Sequence, residues 1–204
     1  MRARWHRRGI QVGERVGTLC CAWLLLNLVC LSAIAQERGR ELLAAEELFR
    51  RGAWAQAEEK FARVLASSTQ GPPSEEKTRS RRRSLLMLSE TCRRRGQHSE
   101  ALEYALQYRQ ELMGERNADF TDFLQQNAIG IAESQMALAN FSEARSTLEE
   151  LLANRFSTLK DLRKQQVLVT LATVEHLTDR TQQAVEHWSM ADRLGRDFLK
   201  RFQQ

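Results

Sequence analysis

The stretch RGAWAQA at residues 51–57 decides the fold, because its pattern returns three times along the chain. It reappears as RGQHSEA at 95–101, as LANFSEA at 138–144 and, less closely, as DRTQQA at 179–184. In each copy a small or turn-permitting residue stands five positions before an alanine. These alanines, separated by 44, 43 and 40 residues, are Ala57, Ala101, Ala144 and Ala184. Self-similarity at this spacing is typical of a chain of stacked supersecondary units.

Further positions are shared by all four units. A small residue stands twelve positions before each alanine, and apolar residues stand four and seven positions after it. In chain order the three sets are Ala45, Ser89, Ala132 and Ala172; Phe61, Ala105, Leu148 and Trp188; and Val64, Tyr108, Leu151 and Ala191. Two antiparallel helices approach closely only where small side chains face each other. Because one pair cannot bury its apolar face alone, the pairs must stack.

The composition agrees with an all-helical chain. Among 204 residues there are only 10 glycines and 2 prolines, and good helix formers such as Ala, Leu, Glu, Gln and Arg are abundant. Both prolines lie in the segment Ser67–Ser74, which predicts a loop with Ser74 as the N-cap of the following helix.

The first thirty-five residues have the pattern of a secretory signal peptide. A basic segment, 1–17, precedes the apolar run Leu19–Leu31, and an Ala-x-Ala exit ends at Ala35. We expect cleavage after Ala35, with an uncleaved N-terminal anchor as the alternative. Either form exports the rest of the chain, to the periplasm or beyond, or to the periplasmic face of the inner membrane.

The basic charge of the chain belongs largely to this N-terminal segment. Of the formal net charge of +5, the first fifteen residues contribute five arginines against one glutamate, which leaves the remainder close to neutral. The charge therefore gives little support to nucleic-acid binding.

The repeated pattern resembles the tetratricopeptide repeat (TPR) family across residues 37–204. That family has a small residue and an aromatic residue in its first helix, a glycine before the turn, and an alanine in the second helix. This chain lacks the closing proline of the family, and its repeat period is longer than the common length of about 34 residues. It also departs from the family at the aromatic position of the first helix. There it has Leu48, Cys92, Gln135 and Glu175.

The resemblance implies an all-α, right-handed α-solenoid of about four antiparallel helix pairs, preceded by a signal-peptide helix. The predicted pairs span about 37–67, 75–114, 117–154 and 158–203. It also implies a non-enzymatic scaffold that grips protein segments in a groove lined by the first helix of each pair. The residues predicted to bind a partner are Arg50, Arg83, Leu86, Glu90, Arg93, Arg94, Gln126, Glu133, Gln166 and Thr173.

Arginines dominate one stripe of the helix that begins at Glu75. At about 100° per residue, Arg79, Arg83, Glu90 and Arg94 fall on one face. An arginine-rich groove would favour acidic partner segments through charge-assisted hydrogen bonds. A solvated helix face is the alternative interpretation of the same stripe.

No catalytic, cofactor or metal site is predicted. The sequence contains no GxSxG, HExxH or Walker motif, and His176 and His187 fall on different predicted helices. Cys92 is interpreted as a small buried hydrophobe rather than a nucleophile. A membrane-tethered accessory subunit of an envelope complex is the alternative function, and a cell-wall-acting enzyme is a weaker one.

The predicted last helix is amphipathic and longer than the repeat requires. Core packing explains Trp188 and Ala191, whereas Phe198, Leu199 and Phe202 extend beyond the repeat. Those three residues would either seal the end of the stack or form a self-association surface. Sealing is the preferred interpretation.

Overall fold

The computed structural model describes residues 36–70, 72–113, 121–155 and 159–202. Within these ranges all regular secondary structure is helical. The helices are α1 (36–50), α2 (Trp54–Ser68), α3 (Glu75–Arg94), α4 (His98–Met113), α5 (Thr121–Ala137), α6 (Phe141–Arg155), α7 (Asp161–Leu177) and α8 (Thr181–Phe202). The predicted signal peptide at 1–35, and the predicted pair ends at 114, 117, 158 and 203, lie outside the described residues.

The helices form four antiparallel pairs, each closed by the same tight turn. The residue five positions before each repeat alanine has positive φ: Gly52 (77°), Gly96 (77°), Ala139 (60°) and Asp179 (59°). In the first turn the Ala53 N–H donates to the Leu48 carbonyl at 2.9 Å, and the Gly52 N–H donates to the Phe49 carbonyl at 3.0 Å. The other three turns repeat this Schellman pattern. The left-handed backbone explains the glycines at the first two turns.

The repeat alanines and their partners form the core, as the spacing predicts. All eight small residues are buried, namely Ala45, Ala57, Ser89, Ala101, Ala132, Ala144, Ala172 and Ala184. One cluster joins Ala57 and Phe61 of the first pair to Leu88 of the second. Another joins Leu148 of the third pair to Leu171 of the fourth. Each pair thus buries its apolar face against its neighbour, and the prediction of an all-α solenoid is confirmed.

Several arginines in and directly after α3 bind neighbouring helices. Arg81 forms an ion pair with Glu111 of α4, and Arg82 donates to the carbonyl of Glu111 at 3.2 Å. Arg95, directly after α3, forms an ion pair with Glu58 of α2. Much of the basic character that the sequence shows in this helix therefore supports contacts between helices.

Polar pairs take the place of the family's first-helix aromatic in the last two units. Gln135 of α5 accepts a hydrogen bond from the Thr147 hydroxyl of α6 at 3.1 Å. The corresponding residues of the fourth pair, Glu175 and His187, lie 2.7 Å apart. In both cases the partners are twelve residues apart, so the two pairs occupy equivalent repeat positions. The third unit has an amide and a hydroxyl there, and the fourth has a carboxylate and an imidazole.

Two details of the prediction are wrong. Trp188 is 37% exposed, whereas Phe61, Ala105 and Leu148 at the same register are fully buried. A following pair covers those three residues, and among the described residues no helix follows α8.

The second error concerns the loop after α2. The loop begins at Thr69 rather than Ser67, because α2 continues through Ser68. The hydroxyls of Ser67 and Ser68 donate back to carbonyls one turn earlier, at 3.0 and 2.6 Å. The predicted N-cap is confirmed, since the Ser74 hydroxyl accepts a hydrogen bond from the Lys77 N–H at 3.3 Å.

Candidate binding groove

The first helices of the four pairs line a continuous groove. A pocket of about 390 Å³ lies between α1, α3 and α5, and a second of about 230 Å³ lies between α3, α5 and α7. Arg93, Gln126 and Gly130 line both pockets and so join them. In this arrangement α3 contacts α5, and α5 contacts α7, so the first helices of successive pairs lie side by side.

The floor of the larger pocket is apolar. Phe49 of α1, Leu86 and Met87 of α3, and Phe123 of α5 all line it. Phe123 is 40% exposed, which is unusual for a large aromatic side chain that could have packed inside. An open apolar floor of this kind can accept aliphatic or aromatic side chains from another molecule.

A row of ion pairs crosses the groove beside this floor. Arg83 Nε donates to Glu46 Oε1 at 2.7 Å and so joins α3 to α1. Arg93 contacts both Glu90 on its own helix and Glu133 on α5. Gln166 of α7 then donates to Glu133 at 3.3 Å. The row therefore connects the four helices that form the groove.

The glutamates of this row occupy one repeat position. Glu46, Glu90 and Glu133 each stand eleven residues before a repeat alanine. Sequence analysis identified Glu90 and Glu133 but missed Glu46, although this common offset could have indicated it.

The charges of the groove nearly cancel. Its lining has four arginines, Arg50, Arg83, Arg93 and Arg163, against three glutamates, Glu46, Glu90 and Glu133. Arg50 is itself paired with Glu47 at 2.5 Å. A hydrogen bond from Arg51, together with the charge of Arg50, lowers the pKa of Glu47, so this carboxylate stays ionised. The lining of the groove is therefore close to neutral, with one positive charge in excess.

The structure brings most of the predicted binding residues together. Those that line the groove are Arg50, Arg83, Leu86, Glu90, Arg93, Gln126, Glu133 and Gln166. Arg94 and Thr173 do not line either pocket: Arg94 pairs with Glu90 at 2.8 Å, and the Thr173 hydroxyl donates to the Val169 carbonyl at 2.8 Å. Sequence analysis missed the aromatic side chains Phe49 and Phe123, which have no common repeat position.

Titratable side chains of the described residues form pairs such as Glu175 and His187, which lie 2.7 Å apart. No group of three or more His, Cys, Asp and Glu side chains within them is placed to hold a metal ion. Burial, with a smaller contribution from Glu58 and Glu100, raises the pKa of Cys92 to about 11. A thiol with such a pKa is a poor nucleophile at neutral pH.

Comparisons with known proteins agree with this architecture. The structure is similar to a variant of a kinesin light chain-like protein of Podosopora anserina with nearly identical TPR-like repeats (TM-score 0.67, 20% identity, covering 80% of this chain and 76% of that one). A second structure of such repeats from the same organism matches with a TM-score of 0.54 and 16% identity, covering 81% of this chain and 97% of that one. No family model and no curated protein matches the sequence.

These similarities show the fold. The chain is a TPR-like repeat protein in its architecture, and its stacked helices create the extended surface that is general to solenoids.

Proposed function

We propose that this chain is a non-enzymatic adaptor that holds a segment of a partner protein in the groove along α1, α3, α5 and α7. The observation that carries the proposal is the apolar floor formed by the exposed Phe123 and the partly buried Phe49, Leu86 and Met87, bordered by an ordered row of ion pairs. Side chains of the partner would pack against the apolar floor, and the fixed charges beside it would orient the bound segment.

The partner segment is expected to combine apolar side chains with few charges. Because Arg83 and Arg93 are already bound to glutamates of the chain, a strongly acidic ligand would have to displace those carboxylates. The single excess positive charge of the groove still favours isolated acidic residues at the flanks of the segment.

The proposed place of action is an extracytoplasmic space, either the periplasm or the exterior. Its support is the basic, apolar and Ala-x-Ala order of residues 1–35. None of the helices among the described residues has the length and apolarity needed to cross a membrane. The apolar run Leu19–Leu31 supports the alternative, a subunit tethered to the membrane by an uncleaved N-terminus.

Intact-mass analysis of the protein from its own cells distinguishes the two forms. A mature N-terminus at Gln36 is the result expected for an exported, untethered adaptor. A chain that keeps residues 19–35 and stays with the membrane fraction would establish the tethered form instead.

Affinity capture tests the groove itself, with Phe123→Ser compared against Leu106→Ser. The two side chains are almost equally exposed, at 40% and 39%, but Leu106 lies on α4 and lines no part of the groove. We expect Phe123→Ser to reduce recovery of the partner at least tenfold and Leu106→Ser to leave it unchanged. Equal recovery by both variants would overturn the assignment of the groove.

A further inference from the structure

The two ends of the stack differ in the side chains that they expose at repeat positions which the other units bury. At the carboxyl end, Trp188 is 37% exposed and Val185, one turn earlier on α8, is 53% exposed. The residues that correspond to Trp188 in the first three pairs are fully buried beneath the next pair. At the Trp188 position, α8 therefore exposes an apolar side chain where the other three units bury theirs.

At the amino end of the described residues, the corresponding face of α1 is charged. On α1, Arg40 is exposed and Glu47 is half-buried. The corresponding residues of α3, α5 and α7 face the preceding pair and are all buried, namely Ser84, Asn127 and Val167, and Thr91, Ser134 and Val174. Charged residues at these two positions suit a helix that faces water. A head-to-tail stack, with α8 of one copy against α1 of the next, would bury these charges, and so it is disfavoured.

The exposed face of α8 is complementary to itself. Val185, Trp188, Asp192, Arg196 and Leu199 fall within about 80° of the helix surface. The order along this stripe is apolar, acidic, basic, apolar, and Asp192 pairs with Arg196 at 2.5 Å. When a second α8 helix runs antiparallel to the first, its basic residue lies opposite the acidic residue of the first. The apolar ends of the two stripes then also lie opposite each other.

The stripe is also held in place. Arg201 near the end of α8 forms an ion pair with Asp161 of α7 at 2.8 Å, and the ring of Trp188 lies 5.6 Å from the ring of His176 on α7. Since α8 is fixed to α7 at both places, the stripe is a preformed surface, and a partner would bind it without ordering a flexible segment.

We infer that this stripe, the α8 face, binds a second copy of the chain, with the two α8 helices antiparallel about a two-fold axis. Trp188 of one copy then lies level with Leu199 of the other, and Asp192 of each copy faces Arg196 of its partner. Such an isologous contact closes on itself and gives a dimer rather than a filament. The inference goes beyond the proposed function and is independent of it, because the groove is lined by the first helices and stays open.

Sedimentation velocity over a range of concentrations tests the inference. The protein is used as its host leaves it, in a mild non-ionic detergent that masks residues 19–31 if they are retained. We expect a monomer–dimer equilibrium that Trp188→Glu weakens at least tenfold. The control is Leu43→Glu, which places the same charge at the opposite end of the stack, on a side chain 66% exposed, and which is expected to leave the equilibrium unchanged.

A charge-exchange experiment tests the pairing and does not depend on Trp188. Asp192→Arg and Arg196→Asp each place like charges across the two-fold axis, so each variant alone is expected to be monomeric. Mixed together, they restore opposite charges at both contacts, and a dimer containing one of each is expected. Circular dichroism confirms that both variants keep their helical content.

A wild-type protein that is monomeric at every concentration would overturn the inference. So would a dimer that Trp188→Glu leaves intact, or two charge variants that stay apart when mixed.

Discussion

The carboxylate of Glu175 on α7 lies 2.7 Å from Nδ1 of His187 on α8 and is only 3% exposed. The pair occupies the register that Gln135 and Thr147 occupy one unit earlier. It links the two helices of the last pair at a position where the TPR family has an aromatic residue.

Replacing His187 by alanine should destabilise the protein by about 3 kcal/mol, because it leaves the buried carboxylate of Glu175 without its partner. Urea denaturation measures the loss, and the exposed Gln183→Ala on the same helix is the control. The double variant Glu175→Gln/His187→Thr copies the pair of the preceding unit and should recover most of the stability. A loss below about 0.5 kcal/mol for His187→Ala, within the range of ordinary surface substitutions, would contradict this role.

Ala139→Gly should raise the free energy of unfolding by about 0.5–1 kcal/mol. Ala139 has φ of 60°, a left-handed conformation that is strained for alanine and accessible to glycine. The unfolded-state entropy of glycine cancels part of the gain. Ala62→Gly on the exposed side of α2 is the matched control and should lower stability by about 1 kcal/mol. The two variants must change the melting temperature in opposite directions if the turn geometry is correct.

Cys92 should resist alkylation in the folded protein. Burial raises the pKa of its thiol from 9.0 to about 11, so at pH 8 it carries about 100-fold less thiolate than a free cysteine. Iodoacetamide labelling followed by peptide mapping of Cys92 measures this. We expect slow labelling that rises towards pH 11, and rapid labelling in urea. Fast modification of the native thiol at pH 8 would show that the site is open.

Arg83→Glu should lower stability by about 1 kcal/mol, since it replaces the partly exposed ion pair with Glu46 by a repulsion. The exchanged variant Glu46→Arg/Arg83→Glu should restore most of this stability in a denaturation experiment. We also expect the exchanged variant to capture the partner as the parent does, because the charge of the groove is unchanged. A parent-like stability combined with lost capture would assign Arg83 a direct contact with the partner.

The sequence predicts the core of this protein well, because the close approach of paired helices depends on small residues at fixed spacing. Ala57, Ala101, Ala144 and Ala184 identify the pairs, and Gly52 marks a turn whose positive φ has a simple steric cause. Requirements of this kind can be recognised from a single sequence, because they depend on residue types at fixed spacings.

The groove is less visible in the sequence, since its character depends on contacts between units. The stripe of α3 indicates positive charge, but only the structure shows that Arg83 is bound to Glu46 and that Arg93 is bound to Glu133. The exposure of Trp188 could not be predicted either. Its repeat position predicts burial, but the side chain at this position is buried only where another helix pair packs against it.

The most direct test of the central proposal is site-specific photocrosslinking in living cells. A benzoylphenylalanine probe replaces Phe123 on the groove floor in one variant and Leu106 on α4 in the other. We predict a discrete crosslinked partner protein from position 123 and none from position 106. The same products from both positions, or a partner crosslinked only from position 106, would contradict the account.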